Sequence, residues 1–422
     1  MILPTPPPAT HPAPSPAALS VRVPARLPVP RTARLAAGML TALALALALV
    51  IGVPAHADVN ANAPQATTLK DAYRKDFLVG AALNDEVVSG RDPQALALVL
   101  KHFNTLTAEN EMKPERLHPA PGRYDFSRGD ALVDLGRKHD MFVVGHTLLW
   151  HVQTPDWMFT DVQGAPLDAD AQIARLQDYI RHVAGHYAGR VQGWDVANEV
   201  IDEDGSYRRS PWLKNVGDGD RLLREAFRAA ALHAPDTELY YNDFNTFKPA
   251  KRDGIVRLVK MLQAEGLRID GVGMQGHWGI DGPSIAEIEA TIDAFAALGV
   301  KVMITELDID VLPKAERTEA LAADRHVELP SDPVQRRRMD PYAQGLTPEM
   351  QQRLAARYAE IFALFHRKRD VISRVTFWGV HDGHSWKNDY PVRGRSNHPL
   401  LFDRARQPKP ALDAVLAVPT TD

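Results

Sequence analysis

Val191-Gln-Gly-Trp-Asp-Val-Ala-Asn-Glu199 is a short apolar run that ends on an amide and a carboxylate. Its Val191–Val196 portion has the length and composition of a buried strand. A strand that stops at Asn198-Glu199 delivers polar groups to one end of a sheet. The pattern recurs in both directions, at Phe77–Leu83, Phe103–Glu109, Phe142–Leu149, Glu238–Asn242, Gly271–Gln275, Lys301–Glu306 and Arg374–Val380. Helical spacing of apolar residues fills Ala169–Tyr187, Asp218–His233, Lys251–Glu265, Ser284–Leu298 and Pro348–Arg367 between these runs. Several strand-to-strand intervals are about 30 residues, the length of a βα unit. Eight such alternations predict an α/β fold, a single (β/α)8 TIM barrel. The last interval is longer, because Val311–Gly345 is a polar, Pro-containing excursion.

Composition narrows the class. The chain has 422 residues, 45% of them hydrophobic and 24% charged, and no cysteine. A disulfide scaffold, thiolate catalysis and thiolate metal sites are excluded. Forty-nine basic against fifty-three acidic residues leave a net charge of -4, so no broad basic face and no nucleic-acid partner is expected. No His-Glu-x-x-His motif is present, and the histidines form no convincing metal-ligand set.

In a barrel of this kind, chemistry is expected where strands meet the loops at their C-terminal ends. Polar and aromatic residues gather there: Glu109-Asn110, His146 to His151, Asn198-Glu199, Asn242-Asp243, Gln275 with His277, Glu306 with Asp308, and Trp378. Glu199 and Glu306 each follow an apolar strand directly. Two carboxylates facing each other across a cleft suit glycosidic hydrolysis, which needs a protonated acid at the leaving oxygen and an ionised carboxylate at the anomeric carbon. An isolated glutamate at either position would read as a solvated or ion-paired surface group. Asn198 is placed to bond the 2-OH of a sugar, and His277 with Asp308 to hold Glu306 ionised. Strand alternation turns Asp195 away from these neighbours, as a buried partner. Trp150, Trp378 and Trp386 are candidate platforms for sugar rings, whereas Trp157, Trp212 and Trp278 read as packing. Lys113 beside Glu109-Asn110 fits hydroxyl recognition or a solvated helix start.

These residues fall into blocks: Thr107-Ala-Glu-Asn-Glu-Met-Lys113, Gly145-His-Thr-Leu-Leu-Trp-His151, Trp194-Asp-Val-Ala-Asn-Glu199, Gly273-Met-Gln-Gly-His277 and Ile304-Thr-Glu-Leu-Asp308. Phe377-Trp-Gly379, Ser385-Trp386 and Pro399-Leu-Leu-Phe-Asp403 follow. In this order they resemble glycoside hydrolase family 10, across nearly all of Phe77 to Asp403. The resemblance implies a retaining endo-β-1,4-xylanase acting on xylan and xylo-oligosaccharides, without cofactor or metal. By it, Glu199 is the acid/base and Glu306 the nucleophile, with carboxyl groups about 5–5.5 Å apart. Asn198, Gln275, His277, His146 and Trp150 match the -1 pocket. Glu109, Asn110, Lys113 and Gln153 match the -2 contacts, and Trp378 and Trp386 the aromatic pair over the glycone sites. The acid role requires a Glu199 pKa raised while Glu306 is negative. A related β-1,4-glucan hydrolase and a non-catalytic xylan-binding barrel are the rival readings; retention of both glutamates weighs against the second.

There are departures. Phe244 stands where the family often carries Tyr, and His381-Asp-Gly-His384 replaces the more usual residues between the two tryptophans. The Val311–Gly345 excursion sits beside the nucleophile strand.

At the N-terminus, residues 1–30 are rich in Pro, Ala and Ser, followed by Arg31, Arg34, an apolar run Leu35–Val53 and Ala55-His-Ala57. Residues 1–57 read as a secretory signal peptide with a long n-region, cleaved after Ala57. An uncleaved apolar anchor is the alternative. Residues 58–66 read as a linker and 67–417 as the catalytic barrel domain. The expected product is a monomer exported to the periplasm or beyond the cell, with no stable membrane association after cleavage.

Overall fold

A computed structural model describes residues 67–313 and 327–420. The proposed signal peptide and linker therefore lie outside the described residues, as does part of the excursion.

Eight parallel strands close on themselves: β1 (Leu78–Leu83), β2 (Thr105–Ala108), β3 (Phe142–Leu149), β4 (Gly193–Asn198), β5 (Glu238–Asp243), β6 (Gly271–Met274), β8 (Lys301–Asp310) and β10 (Ile372–Phe377). The closing pairs are β10 with β1 and β10 with β8. A short strand, β7 (His277–Gly279), adds to the far end of β8. That addition extends β8 beyond the expected stop at Glu306. All eight expected strands are present, and ends differ by a few residues.

Helices run between the strands, each started by its sequence. Asp168, Asp218 and Thr347 cap Ala169–His186, Gly219–His233 and Pro348–Arg367 by accepting from backbone N–H groups in the first turn. Ser284 and Glu287 form a reciprocal capping box at Ile285–Ala296. The inward faces of these helices carry Leu176, Ile180, Leu223, Phe227, Ile288, Ile292, Ile361 and Phe365 into one continuous buried layer around the sheet.

A second, small cluster of Val144, Tyr240 and Met303, with half-buried Phe142 against it, stands apart from that layer. Its members come from β3, β5 and β8, alternate staves of the barrel, as expected for a layer filling the interior. The intervening strands supply glycine where these side chains lie. A Cβ on Gly193 would fall 2.3 Å from the Tyr240 ring, and one on Gly271 2.9 Å from Met303. The apolar plug leaves the polar residues at the strand C-termini to form the other end of the barrel.

Of the excursion, Val327–Glu328 (β9) pairs in parallel with Val392–Arg393 (β11), and Pro333–Met339 is a short exposed helix. Asp340 accepts from Ser396 N at 3.0 Å, and Arg395 donates to Pro313 O at 2.9 Å. The excursion thus packs on the segment that follows Trp386. No helix among the described residues is long and apolar enough to cross a membrane.

Candidate active site

Register between strands builds the site. His146 is the Cα partner of Asp195, Asn198 of Asn242, and His277 of Asp308. All three pairs are hydrogen-bonded through their side chains: His146 Nδ1 to Asp195 Oδ2 at 2.9 Å, Asn242 Nδ2 to Asn198 Oδ1 at 2.9 Å, and His277 Nδ1 to Asp308 Oδ2 at 2.9 Å. The register of β4 against β5 shifts between Asp195 and Ala197. Simple alternation therefore fails here, and both Asp195 and Asn198 reach residues of the neighbouring strands. Asp195 is buried and orients the His146 ring.

Glu306 receives two donors, one on each oxygen. Asn242 Nδ2 reaches Oε1 at 2.7 Å and His277 Nε2 reaches Oε2 at 3.1 Å. Thr305 Oγ1 donates to Asn242 Oδ1 at 2.6 Å, which fixes the amide so that its nitrogen faces the carboxylate. Behind His277, the Asp308 carboxylate also accepts from Trp386 Nε1 at 2.9 Å and faces Lys387 Nζ at 3.5 Å. Burial opposes charge on the His277 ring, but Asp308 and Glu306 on its two sides overcome it and push its pKa up to about 9. Burial likewise works to raise Asp308, yet His277, Lys387 and Trp386 hold it below the ordinary aspartate value. The row Glu306, His277, Asp308, Lys387 thus alternates in charge.

Glu199 is different. Gln275 Nε2 at 3.0 Å and Asn198 Nδ2 at 3.3 Å both address its Oε1. The two glutamates share no direct bond; Gln275, Asn198 and Asn242 link them as a chain of amides. The deep position of Glu199 pushes its pKa up, but Gln275, His151, Trp150 and Arg208 more than offset this, leaving it below the ordinary glutamate value. That direction is opposite to the sequence expectation, because cations and donors gather around this carboxyl as well. The further burial that a bound chain brings works in the raising direction.

A second network lies beside the first. Lys113 Nζ donates to Gln153 Oε1 at 2.9 Å and to Asn110 Oδ1 at 3.1 Å, and Gln153 Nε2 donates to Asn110 Oδ1 at 3.2 Å. Lys113 is buried here, which removes its reading as a solvated helix start. Burial pushes the neighbouring Glu109 carboxyl up to about 7, against the pull of Lys113. Lys113 Nζ also stands 4.9 Å above the Trp150 ring. The Trp378 ring is 5.3 Å from His146 and 6.4 Å from His277, and Trp386 is 4.9 Å from His277. All the residues selected from the sequence therefore meet in one constellation. Trp212 and Trp278 are buried in the core.

Asn242 is the residue that sequence reasoning passed over. Its place at the end of β5 was a signal, but its bridging role depends on Asn198 and Glu306, each many residues away.

The departures have structural counterparts. Phe244 carries Lys251 Nζ 3.7 Å and the Arg208 guanidinium 5.5 Å from its ring centre. His381 Nε2 lies 3.2 Å from Asp92 Oδ2 while its Nδ1 accepts from Gly383 N at 3.1 Å, so both ring nitrogens are engaged. Arg406 clamps the same Asp92 carboxylate, and His384 faces it at 3.6 Å. Asp92, His381 and His384 converge closely enough to hold a metal ion. The N–H from Gly383 and the Arg406 clamp instead make the cluster a hydrogen-bonded strut between the Trp378–Trp386 segment and the helix Pro93–His102.

The sequence profile of Glycosyl hydrolase family 10 matches residues 68–418. The chain is 40% identical over 358 residues to Endo-1,4-beta-xylanase A of Xylanibacter ruminicola, across 85% of this chain and 95% of that one. Among solved structures it is similar to a GH10 endoxylanase from a sugarcane soil metagenome, with TM-score 0.77, 42% identity, and 84% and 100% of the two chains covered. A variant solved in complex with xylotriose is similar with TM-score 0.72 at 35% identity, over 83% and 99% of the chains. With one profile spanning the whole barrel and relatives of this identity along it, the chain belongs to glycosyl hydrolase family 10.

Proposed function

We propose that the protein is a retaining endo-β-1,4-xylanase in which Glu306 is the nucleophile and Glu199 the general acid/base. The observation that carries the assignment of roles is the unequal treatment of the two carboxylates. Donors on both oxygens, Asn242 on one and the His277 ring on the other, hold Glu306 aimed. On Glu199 both amides address Oε1, so Oε2 lies outside that pairing and is the oxygen that delivers the proton once a bound chain has buried the carboxyl further.

In the first step Glu306 attacks the anomeric carbon while Glu199 protonates the departing glycosidic oxygen, giving a xylosyl-enzyme ester and a shortened chain. In the second, Glu199 takes a proton from water, the hydroxide adds to the anomeric carbon, and the Glu306 carboxylate is released. Asn198 supports the reacting sugar through its 2-OH. Asn110, Lys113, Gln153 and Glu109 hold the next xylose, His146 and Trp150 line the reacting pocket, and Trp378 and Trp386 give the glycone rings apolar faces. The excursion, resting on the segment after Trp386, then borders the glycone side. Relatives named as endo-1,4-beta-xylanases, and the family structure with xylotriose, support xylan as the chain bound.

Export behind a signal cleaved after Ala57, and action as a monomer in the periplasm or the medium, belong to the same proposal. Intact mass and sedimentation of the exported protein check both. For the activity itself, reducing-end release from xylan is measured beside soluble β-1,4-glucan, with the anomer of the first product read by NMR. Strong release from xylan as the β-anomer is expected. Silence on xylan from folded protein, or the α-anomer as first product, overturns the reading.

A further inference from the structure

Glu199 is a non-glycine residue at φ 57°, in the left-handed region that a Cβ disfavours. Such a conformation persists only where the surroundings over-determine it. Here both backbone polar groups of Glu199 are tied. Its N–H donates to Asn242 O at 2.9 Å on β5, and its carbonyl accepts from Arg208 Nε at 2.7 Å. The first bond is an ordinary continuation of the sheet. The second comes from a side chain nine residues ahead, and it marks the point where the chain leaves the strand.

Arg208 is itself held. Its backbone N–H donates to Val200 O at 2.8 Å, and its carbonyl accepts from Ser210 N at 2.7 Å. Residues Ile201 and Tyr207 form an antiparallel bridge, and Asp202 N donates to Ser206 O at 2.8 Å, so the loop folds back onto its own start. The guanidinium, 20% exposed, lies 5.5 Å from the Phe244 ring, with Asp202 at 3.9 Å from Nη1. A planar guanidinium can bond sideways through Nε while lying over a ring, whereas a lysine ammonium ends the side chain and cannot do both.

We infer that Arg208 is a positioning residue for Glu199, clamping the backbone carbonyl so that the left-handed turn aims the carboxyl at Gln275 and the leaving oxygen. The inference rests on the reading of Glu199 as acid/base. It places Arg208 in the step that protonates the leaving group, and not in the attack by Glu306. Loss of the clamp lets Glu199 relax toward an unstrained conformation and withdraw its proton from the glycosidic oxygen. Substrates whose leaving group needs no proton are then spared.

The test compares wild type with Arg208→Met and Arg208→Lys, using kcat/KM for xylohexaose and for 2,4-dinitrophenyl β-xylobioside, with melting temperature alongside. For Arg208→Met the value on xylohexaose is expected to fall about tenfold or more, as befits a weakened general acid. On the dinitrophenyl substrate it stays within about threefold, since acid assistance is not needed there. Arg208→Lys keeps the charge but not the fork and falls between wild type and the Met variant on xylohexaose alone. A pH profile separates position from charge. Glu199 is faced by the charged or titratable groups Lys113, His151, Arg208 and Asp243, and only Arg208 changes. An alkaline limb that moves up in the Met variant but not in the Lys variant, while both lose rate on xylohexaose, is the signature of the clamp.

Equal losses on both substrates, or none on either, overturn the inference. If the Met variant fails to fold, a Lys variant with unchanged substrate ratio does the same. Wild type inactive on both substrates would instead remove the acid/base reading beneath it.

Discussion

Asn242 Nδ2 donates to Glu306 Oε1 at 2.7 Å, although β6 lies between the strands that carry the two residues. The same nitrogen reaches Asn198 at 2.9 Å, so one amide ties Glu306 to Asn198. Replacing it by a carboxylate keeps the shape and removes the donor. Asn242→Asp is expected to lower kcat on xylan about a hundredfold, through the lost bond and a like charge beside Glu306. A variant with unchanged kcat would deny Asn242 any part in the reaction; circular dichroism checks that the barrel is intact.

Removing the two glutamates should give different defects. Glu306→Ala abolishes turnover of xylan and of aryl xylobiosides alike. Glu199→Ala loses xylan activity but keeps kcat/KM on 2,4-dinitrophenyl β-xylobioside, and added azide restores kcat by taking the place of the base-assisted water. Azide that rescues neither variant, with both substrates lost equally in each, would contradict the division of roles.

The direction of the Glu199 shift has a kinetic consequence. Its carboxyl is held low by Gln275, His151, Trp150 and Arg208, and a bound chain adds burial that works the other way. The alkaline limb of kcat, which reports the complex, is therefore expected at higher pH than that of kcat/KM, which reports the free enzyme. Coincident limbs would show that substrate leaves Glu199 unperturbed.

His277 links stability to pH. Its pKa rises from 6.5 to about 9 in the folded chain, under the carboxylates of Asp308 and Glu306. A raised pKa means that the stabilisation is complete below about 6.5 and is lost as pH climbs through about 9. The melting temperature of wild type should therefore fall more steeply from pH 6.5 to 9 than that of His277→Gln. Parallel curves would mean that the ring is not charged in that window.

The barrel interior offers a test remote from the chemistry. A Cβ on Gly193 would fall 2.3 Å from the Tyr240 ring, inside the plug formed with Val144 and Met303. Gly193→Ala is expected to cost about 1–3 kcal/mol, the usual penalty of overpacking, read from urea unfolding. A neutral result would show that the plug yields readily.

Much of this was legible in advance. Eight apolar runs with helical stretches between them sufficed for the barrel, since hydrophobic period is a local property. Polar residues at strand ends marked one face as the site, and Glu199 and Glu306 stood out by following their strands directly. Asp195 shows where local reading stops. Its direction was taken from alternation, which a register shift against β5 undoes, and its partner His146 lies on another strand. Asn242 shows the same limit, because a lone amide at a strand end has no pattern that distinguishes it.

By itself, then, the sequence determined the order of strands and helices, the face that carries chemistry and the family to which the motifs belong. Only the tertiary structure decided that Asn198 meets Asn242, that His277 sits between two carboxylates, that Glu199 turns left-handed under Arg208, and that its pKa moves down. The physical reason is range. Apolar periodicity and capping act over a few residues, whereas hydrogen bonds and charge pairs act over a few ångströms. Only the closed barrel brings residues that far apart in the chain within that distance.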